Sequence, residues 1–201
     1  MEKIKPVRTT KRGNSRADIL KAAMLEFIER GVDGVRMEHV ADRAGYNKAL
    51  VYKHFKSKEL LFEAVLTARF EEREKTRSSV SGSLSEMLLV WSQANQKDAD
   101  FFKLLMREAL DFEGEKLVHA DQRQAYYAQQ IAVLEKLKED GKLPSSLDTQ
   151  YLFLALLGML SVPHLLPQVT ELVTGTAPGT EIFEQGQAVF LDELGEFLSP
   201  K

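Results

Sequence analysis

The sequence predicts an all-α protein of about nine helices. Apolar residues recur at steps of three and four through most of the chain, which is the period of an amphipathic helix. No stretch shows the alternation of apolar and polar residues that a half-buried strand requires. The composition, with 44% hydrophobic and 28% charged residues over 201 positions, is typical of a folded protein rather than a disordered one.

The first four predicted helices are bounded by residues that commonly start or stop helices. Gly31 ends the first and Gly45 ends the second, because glycine tolerates the left-handed conformation of a helix C-terminus. Asn47 and Ser57 are good N-caps for the third and fourth, since their side chains accept hydrogen bonds from free backbone N–H groups. Residues 1–14 are basic and show no period, and are predicted to form a flexible arm.

Five further helices are predicted after a Ser/Gly-rich break at residues 78–83. Gly141 and Pro144 end a long helix at 115–139, and prolines bend the strongly apolar one that follows. The last helix carries an apolar stripe near its C-terminal end. The predicted helices span residues 15–30, 37–44, 48–54, 58–77, 84–94, 100–112, 115–139, 149–174 and 180–198.

Composition also restricts the compartment and the class of protein. The chain has no cysteine, which excludes disulfides and thiolate chemistry and favours a reducing cytoplasm. The first twenty residues lack the apolar core of a secretory signal. The longest apolar run, Tyr151 to Val162, is shorter than the ~20 residues of a membrane span. We therefore expect a buried helix there and no membrane partner.

Charge is divided unevenly along the chain. The net charge is −3, but residues 1–58 carry +7 and the remaining 143 residues carry −10. Such a division suggests a cationic N-terminal module that meets a polyanion, attached to a body that does not. A basic tail without a partner is the plainer alternative.

Two short helices separated by a turn at Ala44-Gly45-Tyr46 have the spacing of a helix-turn-helix. In that motif the second helix enters the major groove of DNA. Its inward face would pack through Ala49, Leu50 or Val51, and Phe55. The outward face offers cations and hydrogen-bonding groups to phosphates and base edges; its members are Asn47, Lys48, Tyr52, Lys53 and His54.

The stretch VADRAGYNKALVYKHFKSKELLF and the helix before it resemble the N-terminal domain of the tetracycline-repressor (TetR) family of bacterial transcription regulators. The resemblance covers about residues 15–62, and elsewhere only length and helical layout are similar. The matching positions are Val40-Ala41, Ala44-Gly45, Lys48, Val51-Tyr52, His54-Phe55 and Lys58-Glu59-Leu60. The resemblance implies DNA binding by residues 15–58 and ligand sensing and dimerisation by residues 59–201.

By position, the resemblance implies phosphate contacts from Tyr52, His54 and Lys58. It implies that Asn47, Lys48 and Lys53 lie near base edges or backbone. Lys58 lies just inside the fourth helix, where its ammonium and the free N–H groups of the helix could hold a phosphate together.

Three positions depart from the family pattern. Val35 and Arg36 replace a common Thr or Ser, so the second helix loses its hydroxyl cap and Arg36 is expected to contact a phosphate. Tyr46 replaces a small aliphatic residue and could reach DNA. Leu50 replaces a frequent Thr or Ser, so a contact there would be apolar, with a thymine methyl as one candidate.

The C-terminal body is expected to dimerise and to bind a small molecule. Apolar stripes on its last two helices exceed what one small core needs, although ordinary core packing is the alternative. The predicted dimer residues are Leu152, Leu156, Phe190, Leu194 and Phe197. The predicted ligand residues, each also compatible with core packing, are Trp91, Phe102, Met106, His119, Gln122, Arg123, Tyr126, Phe153 and His164.

Catalytic signals are weak. The four histidines are isolated, Glu115 and His119 alone do not make a metal site, and no glycine-rich phosphate loop is present. We therefore predict no enzyme activity, no cofactor and no metal. The expected function is a ligand-responsive repressor that leaves a palindromic operator when a small molecule binds. The alternatives are an all-α enzyme or a protein-interaction module with a vestigial DNA-binding domain.

Overall fold

A computed structural model describes residues 14–75, 82–110, 117 and 119–200. These residues form helices and connecting turns, without a strand in the described ranges. The ten helices are α1 (Ser15–Gly34), α2 (Met37–Ala44), α3 (Lys48–His54), α4 (Lys58–Lys75), α5 (Leu84–Lys97), α6 (Ala99–Leu110), α7 (Ala120–Glu139), α8 (Thr149–Leu165), α9 (Pro167–Thr174) and α10 (Glu181–Leu198). The predicted all-α fold class is confirmed.

The additional helix arises from a sharp break in the predicted helix at 149–174. The chain turns by 98° between α8 and α9, and Leu166 at the junction is not helical. Pro163 lies inside α8, whereas Pro167 is the first residue of α9, where proline is preorganised for a helix. The flexible arm predicted at the N-terminus lies, apart from Asn14, outside the described residues.

The ends of α2, α3 and α4 follow the predicted capping, whereas α1 continues past the predicted end at Gly31 to Gly34, with a non-helical break at Gly31. The Asn47 side chain accepts a hydrogen bond from the Leu50 N–H at 2.8 Å, and Ser57 accepts one from the Leu60 N–H at 3.2 Å. Gly45 adopts a left-handed conformation with φ of 77° after α2. Arg36 provides no side-chain cap to α2, as expected from the missing hydroxyl.

The described residues fall into two compact units. Unit 1 holds residues 14–69 and 107–110, and unit 2 holds the others. In unit 1, Phe27 of α1 packs edge-on against Phe62 of α4, with ring centroids 4.9 Å apart. Arg107 of α6 donates a hydrogen bond to the Ile28 carbonyl at 2.8 Å. The domain boundary was predicted after residue 58, at the start of α4. In the structure, the first part of α4, up to Arg69, belongs to unit 1.

Unit 2 is built around a core of leucines and a few larger side chains from α5, α7, α8 and α10 and from the turn between α7 and α8. Its buried members are Leu84, Met87, Leu88, Leu134, Leu137, Leu143, Phe153, Leu156, Leu160 and Leu191. Gly195 of α10 lies so close to Ser85 of α5 that a Cβ would come within 2.5 Å of the Ser85 backbone nitrogen. The small residue therefore permits the close approach of these two helices.

Judged by length and hydropathy, no helix of the described residues could cross a bilayer alone. Only α8 and α9 taken together, bent as they are, meet that criterion.

Candidate nucleic-acid interface

Helix α3 is seated on α1 and α2 by its apolar side. Val51 is fully buried and Phe55 nearly so. The Arg16 guanidinium of α1 lies 5.5 Å from the centre of the Phe55 ring, a distance at which cation and ring attract. This packing fixes which side of α3 faces outward.

The opposite side of α3 is open. The Lys48 side chain is 54% exposed and Tyr52 is 39% exposed, and Lys53 and His54 are exposed as well. We call these four residues the outward face of α3. Its exposure is what contact with a DNA groove requires, and burial of Lys48 and Tyr52 would have excluded that contact.

Lys48 is held by two neighbours. Its ammonium contacts the Glu38 carboxylate of α2 and lies 5.4 Å from the centre of the Tyr52 ring. The hydrogen bond between Lys48 and Glu38 lowers the pKa of Glu38 and raises the pKa of Lys48. Both groups are therefore charged at neutral pH.

Three other predicted contact residues also have partners within unit 1. The Tyr46 hydroxyl donates to Asp18 Oδ2 at 2.7 Å, which raises the pKa of Tyr46. His54 Nε2 lies 3.0 Å from Ser15 Oγ. Lys58 Nζ lies 3.1 Å from Asp33 Oδ1 and donates to the Asp33 carbonyl at 3.4 Å.

The remaining predicted contacts divide between exposed and structural positions. Arg36 is exposed at the start of α2, and Leu50 is half-buried. Asn47 is exposed but uses its side-chain oxygen to cap α3, which leaves the amide nitrogen for a phosphate or base. Sequence reasoning missed Glu38, Asp18 and Asp33, because their pairings with Lys48, Tyr46 and Lys58 depend on how α1, α2, α3 and α4 pack.

Six of the nine predicted ligand residues are joined by ring contacts within unit 2, through Phe70, Phe101 and Tyr127. Tyr126 packs edge-on against Phe70 at 5.3 Å, and the buried Arg123 guanidinium lies 5.2 Å from the same ring. Trp91 packs against Phe153 at 5.8 Å.

His164 stacks on Phe102 at 5.9 Å. Burial, with smaller contributions from the charges of Lys103 and Arg73, lowers the pKa of His164. Met106, His119 and Gln122 are exposed, so they do not belong to the interior of unit 2.

Arg73, in the last turn of α4, was missed by sequence reasoning. Its guanidinium donates to Asn95 Oδ1 at 2.7 Å, to Asp98 Oδ2 at 3.3 Å and to the Tyr126 hydroxyl at 3.5 Å. It also lies 4.4 Å from the centre of the Phe101 ring. These contacts hold the end of α4 to α5, α6 and α7.

The predicted dimer residues are only partly exposed. Phe190 is 51% and Phe197 is 84% exposed, whereas Leu152 and Leu194 pack partly against the core of unit 2. Leu156 is 3% exposed within that core and has no surface to offer a partner, which corrects the prediction. Tyr151 and Leu154 of α8 are largely exposed. They were missed because α8 is apolar on every side, so the sequence does not show which side is exposed.

The family model described as bacterial regulatory proteins, tetR family, matches residues 19–65. The HTH-type transcriptional repressor SCO4008 of Streptomyces coelicolor is 24% identical over 165 residues, covering 80% of this chain and 84% of the relative. The HTH-type transcriptional activator FasR of Mycolicibacterium smegmatis is 40% identical over 68 residues, or 31% of each chain.

Among solved structures, SCO4942 of Streptomyces coelicolor superposes with a TM-score of 0.75. It is 19% identical and the match covers 93% of this chain and 99% of that one. At that identity the likeness shows the fold alone. The family model matches residues 19–65 only, whereas the likeness in fold covers 93% of the chain.

Proposed function

Because the chain belongs to the tetR family of bacterial regulatory proteins and is a DNA-binding transcriptional regulator, we propose that it acts as a homodimeric repressor. A small molecule bound in unit 2 releases it from a palindromic operator in the cytoplasm. The observation that carries the DNA part of the proposal is the open outward face of α3, backed by buried Val51 and Phe55. Such a helix can lie in a major groove while its buried side stays packed on α1 and α2.

Exposed apolar side chains on α8 and α10 support the dimer. Phe197, Phe190, Tyr151 and Leu154 all lie at the surface, and large apolar side chains exposed in this way are what an interface between two copies would bury. A twofold dimer would present two copies of α3 to successive major grooves, about 34–36 Å apart. A palindromic operator follows from that symmetry.

The course of α4 supports coupling between ligand and DNA. Residues of α4 up to Arg69 belong to unit 1, and the later ones belong to unit 2. Arg73 joins that later part to Asn95, Asp98 and Tyr126. A ligand that rearranges these neighbours would move one end of a helix whose other end carries Lys58, and a coupling of ~1–3 kcal/mol is enough to change operator occupancy.

A gel shift on random-sequence duplex DNA tests the DNA part. We expect retention at low salt that falls steeply as salt rises, because cations at the interface release counterions from the phosphates. Lack of retention at low salt would contradict regulation by DNA binding and favour an enzyme or an interaction module.

Light scattering tests the dimer. We expect the wild-type chain to have twice the mass of one chain at micromolar concentration, and Phe197→Lys to shift it toward the monomer. The matched control is Leu172→Lys on α9, which replaces a similarly exposed apolar side chain on a helix outside the proposed interface. A monomeric wild type would remove the argument for a palindrome.

A further inference from the structure

We infer that Glu38 and Lys48 read one G·C base pair together, with Glu38 accepting from the cytosine amino group and Lys48 donating to the guanine. The inference rests on the proposed binding of the outward face of α3 in a major groove. It assigns a base-reading role to Glu38, a residue of α2.

The geometry places a donor and an acceptor side by side. Lys48 is the first residue of α3 and Glu38 lies in the first turn of α2, yet their charged ends are in contact. Both side chains are about half exposed, at 54% and 47%. The Tyr52 ring, whose centre lies 5.4 Å from the Lys48 ammonium, attracts the ammonium and favours this position.

A G·C pair offers the complementary arrangement in the major groove. Guanine O6 accepts and cytosine N4 donates. The two atoms are neighbours because they share a hydrogen bond within the base pair. An A·T pair also presents an acceptor and a donor, through thymine O4 and adenine N6. Both purines present N7 as a further acceptor, but only in guanine does N7 lie beside another acceptor, O6, whereas in adenine it lies beside the N6 donor. An ammonium therefore gains more from G·C, where the carboxylate also has its amino donor.

Charge argues for a specific role for Glu38. A carboxylate on a surface that meets phosphates repels them, and pairing with Lys48 also withdraws a cation from those phosphates. A contact with a base amino group offsets both effects only on the correct sequence. The lowered pKa of Glu38 agrees with a carboxylate that stays ionised. The simpler alternative is that Glu38 only stabilises the N-terminus of α2 through the helix dipole.

Selection of bound sequences from a random duplex pool distinguishes these roles. The full-length wild type, Glu38→Gln, Lys48→Gln and Glu29→Gln are each used. Glu29→Gln is the matched control: Glu29 is 49% exposed and pairs with Arg43 at 2.6 Å in the same unit, but it lies on α1 and its partner lies on α2.

We expect the wild type to require G·C at one position of each half-site. Glu38→Gln should lose that preference by roughly tenfold and accept A·T, because a glutamine amide can bond adenine N6 and N7. Lys48→Gln should relax the same position, and Glu29→Gln should keep the wild-type preference.

Two results would overturn the inference while the proposed function stands. One is a wild-type palindrome that Glu38→Gln selects unchanged at every position, with only its thermal stability altered. The other is relaxation by Glu38→Gln and Lys48→Gln at different positions. A wild type that retains no duplex at all would overturn the proposed function as well.

Discussion

The two units place their candidate functional side chains in opposite ways. In unit 1 the candidates lie at the surface, and each of Tyr46, Lys48, His54 and Lys58 has a polar partner on another segment. In unit 2 most candidates face inward and pack on one another, as His164 does on Phe102. The register of a single helix determines which side chains a DNA-binding surface exposes. The side chains that line a ligand-binding interior depend on how helices distant in sequence pack together.

The N-terminal segment also differs from the rest of the chain in its charge. The excess of cations in residues 1–58 is partly neutralised by local acids, as in Lys58 with Asp33 and Arg43 with Glu29. These exposed pairs contribute little to stability, typically about 0–1 kcal/mol each. Lys58 can therefore exchange the Asp33 carboxylate for a phosphate with little loss of stability, whereas Arg43 also pairs with the buried Glu26 at 2.7 Å and is held in place.

The largest expected effect comes from removing the central ring of unit 1. Phe27→Ala should cost about 3–5 kcal/mol of stability, because Phe27 is fully buried and packs on Phe62 and the change leaves a cavity. In urea, far-UV circular dichroism should show an early transition. Fluorescence of Trp91, the single tryptophan of the chain, reports unit 2 and should keep its wild-type midpoint. A coincident shift of both signals would show that the units unfold as one.

The next effect breaks the outward face of α3 without touching its core. Lys48→Glu should weaken DNA binding by about 100-fold, since it removes a contact and places a second carboxylate beside Glu38. The control is Lys136→Glu in unit 2, which also replaces an exposed lysine paired with an acid, Asp140, at 2.7 Å. Fluorescence anisotropy with labelled duplex measures both. Equal losses for the two variants would mean that only net charge matters.

Much of unit 1 was predictable because its signals are local. Asn47 caps α3 and Gly45 ends α2 within a few residues of where their types demand. The exposure of Lys48 and Tyr52 follows from the same register that buries Val51. The partners of these residues were not predictable: Asp18 and Tyr46 are 28 residues apart, and their contact depends on the packing of α1 on the helix-turn-helix.

Unit 2 was predictable in outline and not in detail. Its helices follow from apolar periodicity, but α8 is apolar on every side, so periodicity could not tell buried Leu156 from exposed Leu154. Gln122 and Arg123 are adjacent in sequence, and only the fold shows that the second is buried. The break at Leu166 was also missed, because proline permits either a kink or a new helix start.

A smaller effect tests whether the interior of unit 2 is built for binding as well as for packing. Gln130 is buried at 6% exposure beside core helices, and its Nε2 has no hydrogen-bond partner among the described residues. Because an unsatisfied buried donor is unfavourable, Gln130→Met should raise the free energy of unfolding by about 1 kcal/mol.

The neighbouring Gln129→Met provides the comparison for Gln130. Gln129 is exposed and donates to Glu74 at 3.4 Å, so its replacement should change stability by less than about 0.5 kcal/mol. Urea titration followed by Trp91 fluorescence measures both variants. If Gln130→Met destabilises instead, the amide already contributes to packing and is a poor candidate for a ligand contact.

The smallest effect concerns pH, and it is confined to unit 2. Burial against Phe102 lowers the pKa of His164 below its ordinary value of 6.5, so the unfolded chain binds the proton more tightly than the folded one. Unfolding therefore takes up a proton as pH falls through the unfolded pKa, and stability decreases on the acid side. His164→Gln should flatten this part of the pH dependence between roughly pH 7.5 and 5, as measured by urea titrations with Trp91 fluorescence. A pH dependence unchanged by His164→Gln would assign the loss of stability to the carboxylates, which also become protonated on the acid side.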